Sequence, residues 1–105
     1  MDELLRMLGE MGIPFAYDHF AEGESPEPPF ICYLLPGNHN FSADGIAYYK
    51  ASEVRIELYT DTKSPETEKR VETVLDSHGI FYLKTEVWIE SEKLYEVLYS
   101  FELEV

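Results

Sequence analysis

With 105 residues, 45% of them hydrophobic and 28% charged, the sequence has the length and composition of a single globular domain spanning 1–105, far from the profile of a disordered tail. Twenty-one acids against eight bases give a formal net charge of −13, a field that opposes binding to nucleic acid or to an anionic membrane, where affinity comes mainly from Lys and Arg. The eight bases are scattered, several of them beside acids, so no footprint for phosphates can be drawn.

A chain of this size buries about 60 to 70% of the surface its unfolded form exposes, enough for a core without disulfides or a metal. Cys32 is the one cysteine. It has no internal disulfide partner and sits in an apolar run, where a thiol behaves as a small hydrophobe. The first residues, Met1-Asp2-Glu3, are acidic where a secretory signal is basic, and no apolar run reaches the roughly 18 residues that span a bilayer. The expectation is a protein that is cytosolic when made.

In chain order, residues 2–11 form a predicted helix with Leu4, Leu5, Leu8 and Met11 on one face and Asp2 as its N-cap. Gly12 suits the left-handed residue that ends a helix, and Pro14 cannot continue one. Residues 13–20 read as extended. Residues 21–29 hold three prolines and three glutamates, the composition of a solvated connector. Residues 30–35 are a continuously apolar run of strand length, closed by Pro36-Gly37-Asn38. Residues 38–51 read as a projecting hairpin with a mobile tip at Asp44-Gly45, a strong turn signal between Phe41 and the run Ile46-Ala47-Tyr48-Tyr49.

Residues 53–60 alternate cleanly, with Val54, Ile56 and Leu58 facing one way and Glu53, Arg55 and Glu57 the other. Ser64-Pro65 opens a second helix whose acids Glu66 and Glu68 suit its positive end, whose inward stripe is Thr67, Val71, Val74, Leu75 and His78, and which Gly79 ends. Residues 80–90 and 94–105 are two strands around the turn Ser91-Glu92. The latter alternates Tyr95, Val97, Tyr99, Phe101, Leu103 and Val105 against polar neighbours, the strongest periodicity in the chain. The order α-β-β-β-β-α-β-β implies an α+β fold, a mostly antiparallel sheet with two helices. The sequence shows no internal repeat, heptad array or low-complexity tract.

Chemistry lacks its parts. His19, His39 and His78 lie far apart, and none makes a metal-binding spacing with another histidine or with Cys32. His78, at a helix end, is better explained by contact with the last carbonyls. A thiol nucleophile needs an electropositive, partly exposed setting, whereas Cys32 has apolar neighbours. Carboxylates such as Glu22, Glu24, Glu27, Asp44, Asp61 and Glu66 are too abundant for any pair to be informative, and Gly9 and Gly12 form no phosphate-binding pattern. The reading is of a protein without catalytic, cofactor or metal sites that works through its surfaces. Aromatics on otherwise polar faces are the candidates for an interface: Tyr59, Tyr82 and Trp88, with Phe41, Asp44 and Tyr48 on the hairpin. For Trp88, burial under the first helix or under the 21–29 loop competes evenly with an interface role.

Four stretches carry a resemblance: Asn40-Phe41-Ser42-Ala43-Asp44-Gly45, Val54-Arg55-Ile56-Glu57-Leu58-Tyr59-Thr60-Asp61, Leu75-Asp76-Ser77-His78-Gly79-Ile80 and Glu90-Ser91-Glu92-Lys93-Leu94-Tyr95-Glu96-Val97. Together they resemble small head-tail joining proteins of long-tailed phages and prophages of Gram-positive bacteria, the tail-completion and tail-terminator group. The resemblance runs from the first helix to the carboxyl end and implies a terminator-like α+β fold. It also implies a virion subunit, assembled in the host cytoplasm, that forms a ring, usually sixfold. Such a ring caps the tail tube protein and meets the head connector or stopper, without catalytic residues, cofactors, sequence-specific nucleic-acid binding or membrane contact. The charge keeps a second class open, an acidic DNA mimic that occupies the basic cleft of a host protein. A mimic needs carboxylates along one exposed surface, whereas many here alternate with strand residues and bases.

Overall fold

A computed structural model describes residues 2–43 and 46–104, with side chains described for 2–37 and 51–103. The elements are α1 (Asp2–Met11), β1 (Phe15–Tyr17), β2 (Phe30–Ala43), β3 (Ile46–Thr60), α2 (Pro65–Ser77), β4 (Leu83–Ile89) and β5 (Leu94–Glu104). The strands form one sheet in the order β1-β2-β3-β5-β4. Only the short β1–β2 pair is parallel. The expected α+β class, two helices on a mostly antiparallel sheet, is the observed one.

Both helices follow from local signals. In α1 the residues spaced i, i+3, i+4 and i+7, Leu4, Met7, Leu8 and Met11, are buried. Leu5 is 45% exposed, so Met7 takes the place in the stripe that Leu5 was expected to hold. Gly12, at φ +69°, ends the helix, and the Arg70 guanidinium donates to its carbonyl at 2.8 Å. A Cβ on Gly12 would lie 2.9 Å from Arg70 Nη2. In α2 the Ser64 hydroxyl accepts from the Thr67 amide at 3.4 Å, and Pro65 occupies the first turn. At the other end Gly79, at φ +70°, donates to Asp76 O and Ile80 to Leu75 O, both at 3.0 Å, the paired bonds of a glycine-terminated helix. The His78 ring does not cap these carbonyls as expected. It turns to α1, where Glu10 lies at 3.0 Å and Glu3 at 3.4 Å, because two carboxylates attract imidazolium more strongly than helix-end dipoles.

Both helices bury against one face of the sheet. Leu4, Met7, Leu8, Val71 and Leu75 form a single cluster with Ile31 of β2, Val54, Ile56 and Leu58 of β3, and Val97, Tyr99, Phe101 and Leu103 of β5. The period-two readings of β3 and β5 are therefore correct over the described residues; Val105 lies outside them. Each fully buried aliphatic side chain in this cluster contributes about 1.5–3 kcal/mol.

Strand boundaries needed revision. Pro36-Gly37-Asn38 does not close a strand, since β2 runs through it with a register shift that takes pairing from Leu34↔Arg55 to Gly37↔Glu53. The apolar run at 30–35 and the outer hairpin are thus one strand, and residues 46–51 and 53–60 are likewise one strand, β3. Proline is tolerated because Pro36 falls in the register shift, where β3 gives it no partner, and β1 pairs with β2 only as far as Tyr33. Residues 80–82, expected to open the strand that follows the second helix, precede β4, with Ile80 and Tyr82 packed against the core.

Candidate interaction surface

Register decides which side chains look away from the helices. Two rows cross the sheet on that open face: Phe30, Tyr59, Glu96 and Val87, then Cys32, Glu57, Leu98 and Thr85. A third row holds Leu34, Arg55, Ser100 and Leu83. Among the described residues, both helices pack on the other face. At one end the 18–29 loop reaches the face, where Phe20 meets Phe30 edge-on at 5.6 Å and Phe30 stacks on Tyr59 at 5.1 Å. Asp18, Phe20, Phe30, Cys32, Tyr59 and Leu94 border a cleft of about 340 Å³ there.

The centre of the face is acidic and partly dehydrated. The Tyr59 hydroxyl lies 3.0 Å from Glu57 Oε1 and 3.1 Å from Glu96 Oε2, so one proton serves two carboxylates. Burial raises the Glu57 pKa, and the Glu96 charge adds to it, against the opposing pull of Tyr59 and Arg55. Burial and the same carboxylates hold the Tyr59 hydroxyl protonated. Burial, then Glu57, pushes the Cys32 thiol up to about 11, which leaves it inert as a nucleophile at neutral pH. This arrangement can accept hydrogen bonds and cations from a docked surface, but it holds no activated group.

The outer strand β4 differs from the rest of the sheet, since Leu83 is 65% and Val87 52% exposed on the open face, and Phe81 just before it is 86% exposed. Its alternate residues Lys84, Glu86 and Trp88 lie on the helix side, opposite Tyr99, Val97 and Tyr95. Lys84 bonds Glu68 Oε1 at 2.8 Å and Glu72 Oε2 at 2.6 Å, and Lys63 bridges Glu68 Oε2 at 2.7 Å and Glu86 Oε2 at 2.9 Å. Tyr99 donates to the same Glu72 oxygen at 2.7 Å. Burial would raise the Glu68 pKa, yet the hydrogen bonds from Lys63 and Lys84 outweigh it and hold the carboxyl below its ordinary value. The network fastens β4 to α2.

The residues singled out from sequence are dispersed. Tyr59 is on the open face. Tyr82 sits on the helix side, half-buried and edge-on to Tyr99 at 5.5 Å. Trp88 is 40% exposed, 4.8 Å from the Tyr95 ring, and donates to Glu90 Oε2 at 2.5 Å; neither helix nor loop buries it. Asp44 and the side chains of Phe41 and Tyr48 lie outside the described residues. Glu96, Leu83, Val87 and Phe81 were missed. Glu96 is 37 residues from Tyr59, a separation no local pattern bridges. Leu83 and Val87 carried the signal of alternation with Lys84 and Glu86. Among the described residues, no group of three or more His, Cys, Asp or Glu is arranged to hold a metal ion, and no helix is long and apolar enough to cross a membrane. A concavity of about 560 Å³ between α1 and α2 is a shallow groove of mixed charge bordered by Glu10, Met11, Glu66, Lys69 and Arg70.

No protein-family model matches the sequence, and no curated protein matches it. Solved structures do: one chain, from the virion of a native gene transfer agent particle, superimposes with a TM-score of 0.63 at 14% sequence identity. The match covers 99% of this chain and 89% of that one, so the two share a fold over nearly their whole lengths.

Proposed function

We propose that this protein is a structural subunit of a phage or phage-like virion, placed at the head-tail junction as a tail-completion or tail-terminator protein. The observation that carries this reading is the end-to-end fold likeness to a chain of a gene transfer agent virion. It agrees with the sequence resemblance to head-tail joining proteins. A terminator assembles in the host cytoplasm as a ring on the tail tube and presents its other side to the head connector. Rings need two unlike surfaces per subunit that close by rotation. The open sheet face with its exposed β4 edge and the extended β2–β3 hairpin are unlike surfaces on one subunit. The role is architectural and requires no catalytic group. Carboxylates lining the lumen of such a ring would repel phosphate and let DNA slide through, so acids replaced there by lysine should slow DNA ejection.

The test is electron microscopy of lysates from an inducible prophage carrying this gene, with the gene deleted. Separate DNA-filled heads and unjoined or overlong tails are the expected outcome. Normal joined virions would overturn the reading and make the acidic mimic of DNA, which the −13 charge favours, the explanation to pursue.

A further inference from the structure

We propose that copies of this chain join by strand addition: residues 37–43, on the outer edge of the β2–β3 hairpin of one copy, pair with the free edge of β4 in the next. The inference rests on the ring reading, in that both require unlike surfaces of one chain to meet, and it names those surfaces.

The acceptor is β4. It pairs with β5 in unbroken register from Leu83↔Ser100 to Ile89↔Leu94, without a bulge, and lies last in the sheet order. An edge strand offers unpaired N–H and C=O groups to any passing strand, and outward lysines, prolines or bulges normally guard it. Here β4 has no proline, and Lys84, its one lysine, is drawn onto Glu68 and Glu72 beneath α2. Glu86 is held by Lys63. With its charges spent on the interior side, the strand shows Leu83, Thr85 and Val87 on the open face. An edge of seven residues without a bulge or proline spans about 23 Å.

The donor is the outer part of the hairpin. β2 and β3 pair with each other from Gly37↔Glu53 to Ala43↔Ile46, while β1 stops at Tyr33 and β5 stops at Ala51. Among the described residues no third strand flanks 37–43 or 46–50. Two strands alone are marginally stable in water, and a third completes them. Residues 37–43 also match the seven residues of β4 in length.

Charge selects a second copy of this segment as the occupant. Bodies that each carry most of a −13 charge repel one another. Residues 36–52 hold one acid, Asp44, and one base, Lys50, out of 21 and 8 in the chain. This is the stretch that can approach the acidic open face of a neighbour without that penalty. It is also rich in the aromatic residues that interfaces favour, Phe41, Tyr48 and Tyr49.

The experiment is sedimentation velocity on the intact chain from about 1 µM to about 1 mM, the range over which weak subunit contacts populate. Two variants accompany it: Val87→Lys, which restores a guarding charge at an exposed position, and a chain in which residues 40–50 are replaced by Asn-Gly, a two-residue turn closing on the pair His39↔Ala51. Circular dichroism and thermal melts verify that each remains folded, and Thr85→Lys substitutes if Val87→Lys does not. The parent should associate, and each variant alone should associate at least about 10-fold more weakly. Mixed, the two variants should form a 1:1 dimer that grows no further, because one retains its hairpin and the other its edge. Association of the shortened chain at parental strength, failure of the mixture to dimerise, or a parent that stays monomeric throughout would each overturn the pairing. A monomeric parent would leave the virion role to be judged by the lysate experiment.

Discussion

Glu57 and Glu68 are both removed from full contact with water, on opposite sides of the same sheet, and their environments push them in opposite directions. On the helix side Glu68 is met by two ammonium groups within 2.8 Å, and its pKa falls. On the open side Glu57 is met by a tyrosine hydroxyl and a second carboxylate, and its pKa rises. The helix side is thus finished within the subunit, with charge matched to charge. The open side keeps a carboxylate that would gain from a cation or donor, as the proposed assembly surface requires.

The largest test of this contrast is a pair of leucines on the two sides. Leu58→Ala should cost about 2–5 kcal/mol by leaving a cavity among fully buried neighbours, whereas Leu98→Ala, half-buried on the open face, should cost under about 1.5 kcal/mol; urea denaturation measures both. Equal losses would break the distinction between a finished and an unfinished face.

Next in size is Glu68→Gln. Removing the carboxylate leaves Lys63 and Lys84 without their main partner, but both ammonium groups are more than a third exposed and well screened, so the expected loss at pH 7 is about 1–2 kcal/mol. The folded pKa lies below the ordinary 4.5, so the contribution of Glu68 is present above that value and lost as pH falls through the folded pKa. Parent and variant should therefore converge in acid.

Glu57→Gln should have the opposite sign. A folded pKa above 4.5 means that stability is fully present below the unfolded value and lost as pH rises through the folded one. Removing the charge should raise stability at pH 7 by less than about 1 kcal/mol and change nothing in strong acid. Destabilisation at pH 7 would show that the face is already complete without a partner.

The smallest effect concerns the helix pair. The hydrogen bond that the imidazolium donates to Glu10, with the one it donates to Glu3, raises the His78 pKa above 6.5, so this contact stabilises below 6.5 and is lost as pH rises through the folded value. His78→Gln should flatten the slope of melting temperature between about pH 6 and pH 8 without altering the response in acid.

The elements most legible in the sequence were those fixed by local chemistry. Ser64-Pro65 and Gly79 bracketed α2 correctly because caps act within a turn. Alternation in β3 and β5 sorted Val54, Ile56, Leu58, Val97 and Tyr99 to the core because one face of each strand is dry. Leu5 was misplaced against Met7 because the five apolar residues of α1 admit two overlapping stripes, and only packing selects between them. Pro36-Gly37 was read as a stop because whether proline breaks a strand depends on which neighbour needs its N–H, a fact of topology. The open face was the least legible part. Its Glu57, Tyr59 and Glu96 come from two strands whose pairing sets the cluster, and Glu68 looked like an ordinary first-turn acid until Lys84 of β4 was brought beneath it.

Cys32 gives the molecule a built-in clock. With its pKa pushed up to about 11 and its side chain buried, the thiol exists almost entirely as SH at neutral pH and reacts with an alkylating reagent only when local opening admits water. Its labelling rate would time the opening of the cleft formed by the 18–29 loop. A cysteine introduced at an exposed site would react long before it, so one chain can carry a fast external label and a slow internal timer together.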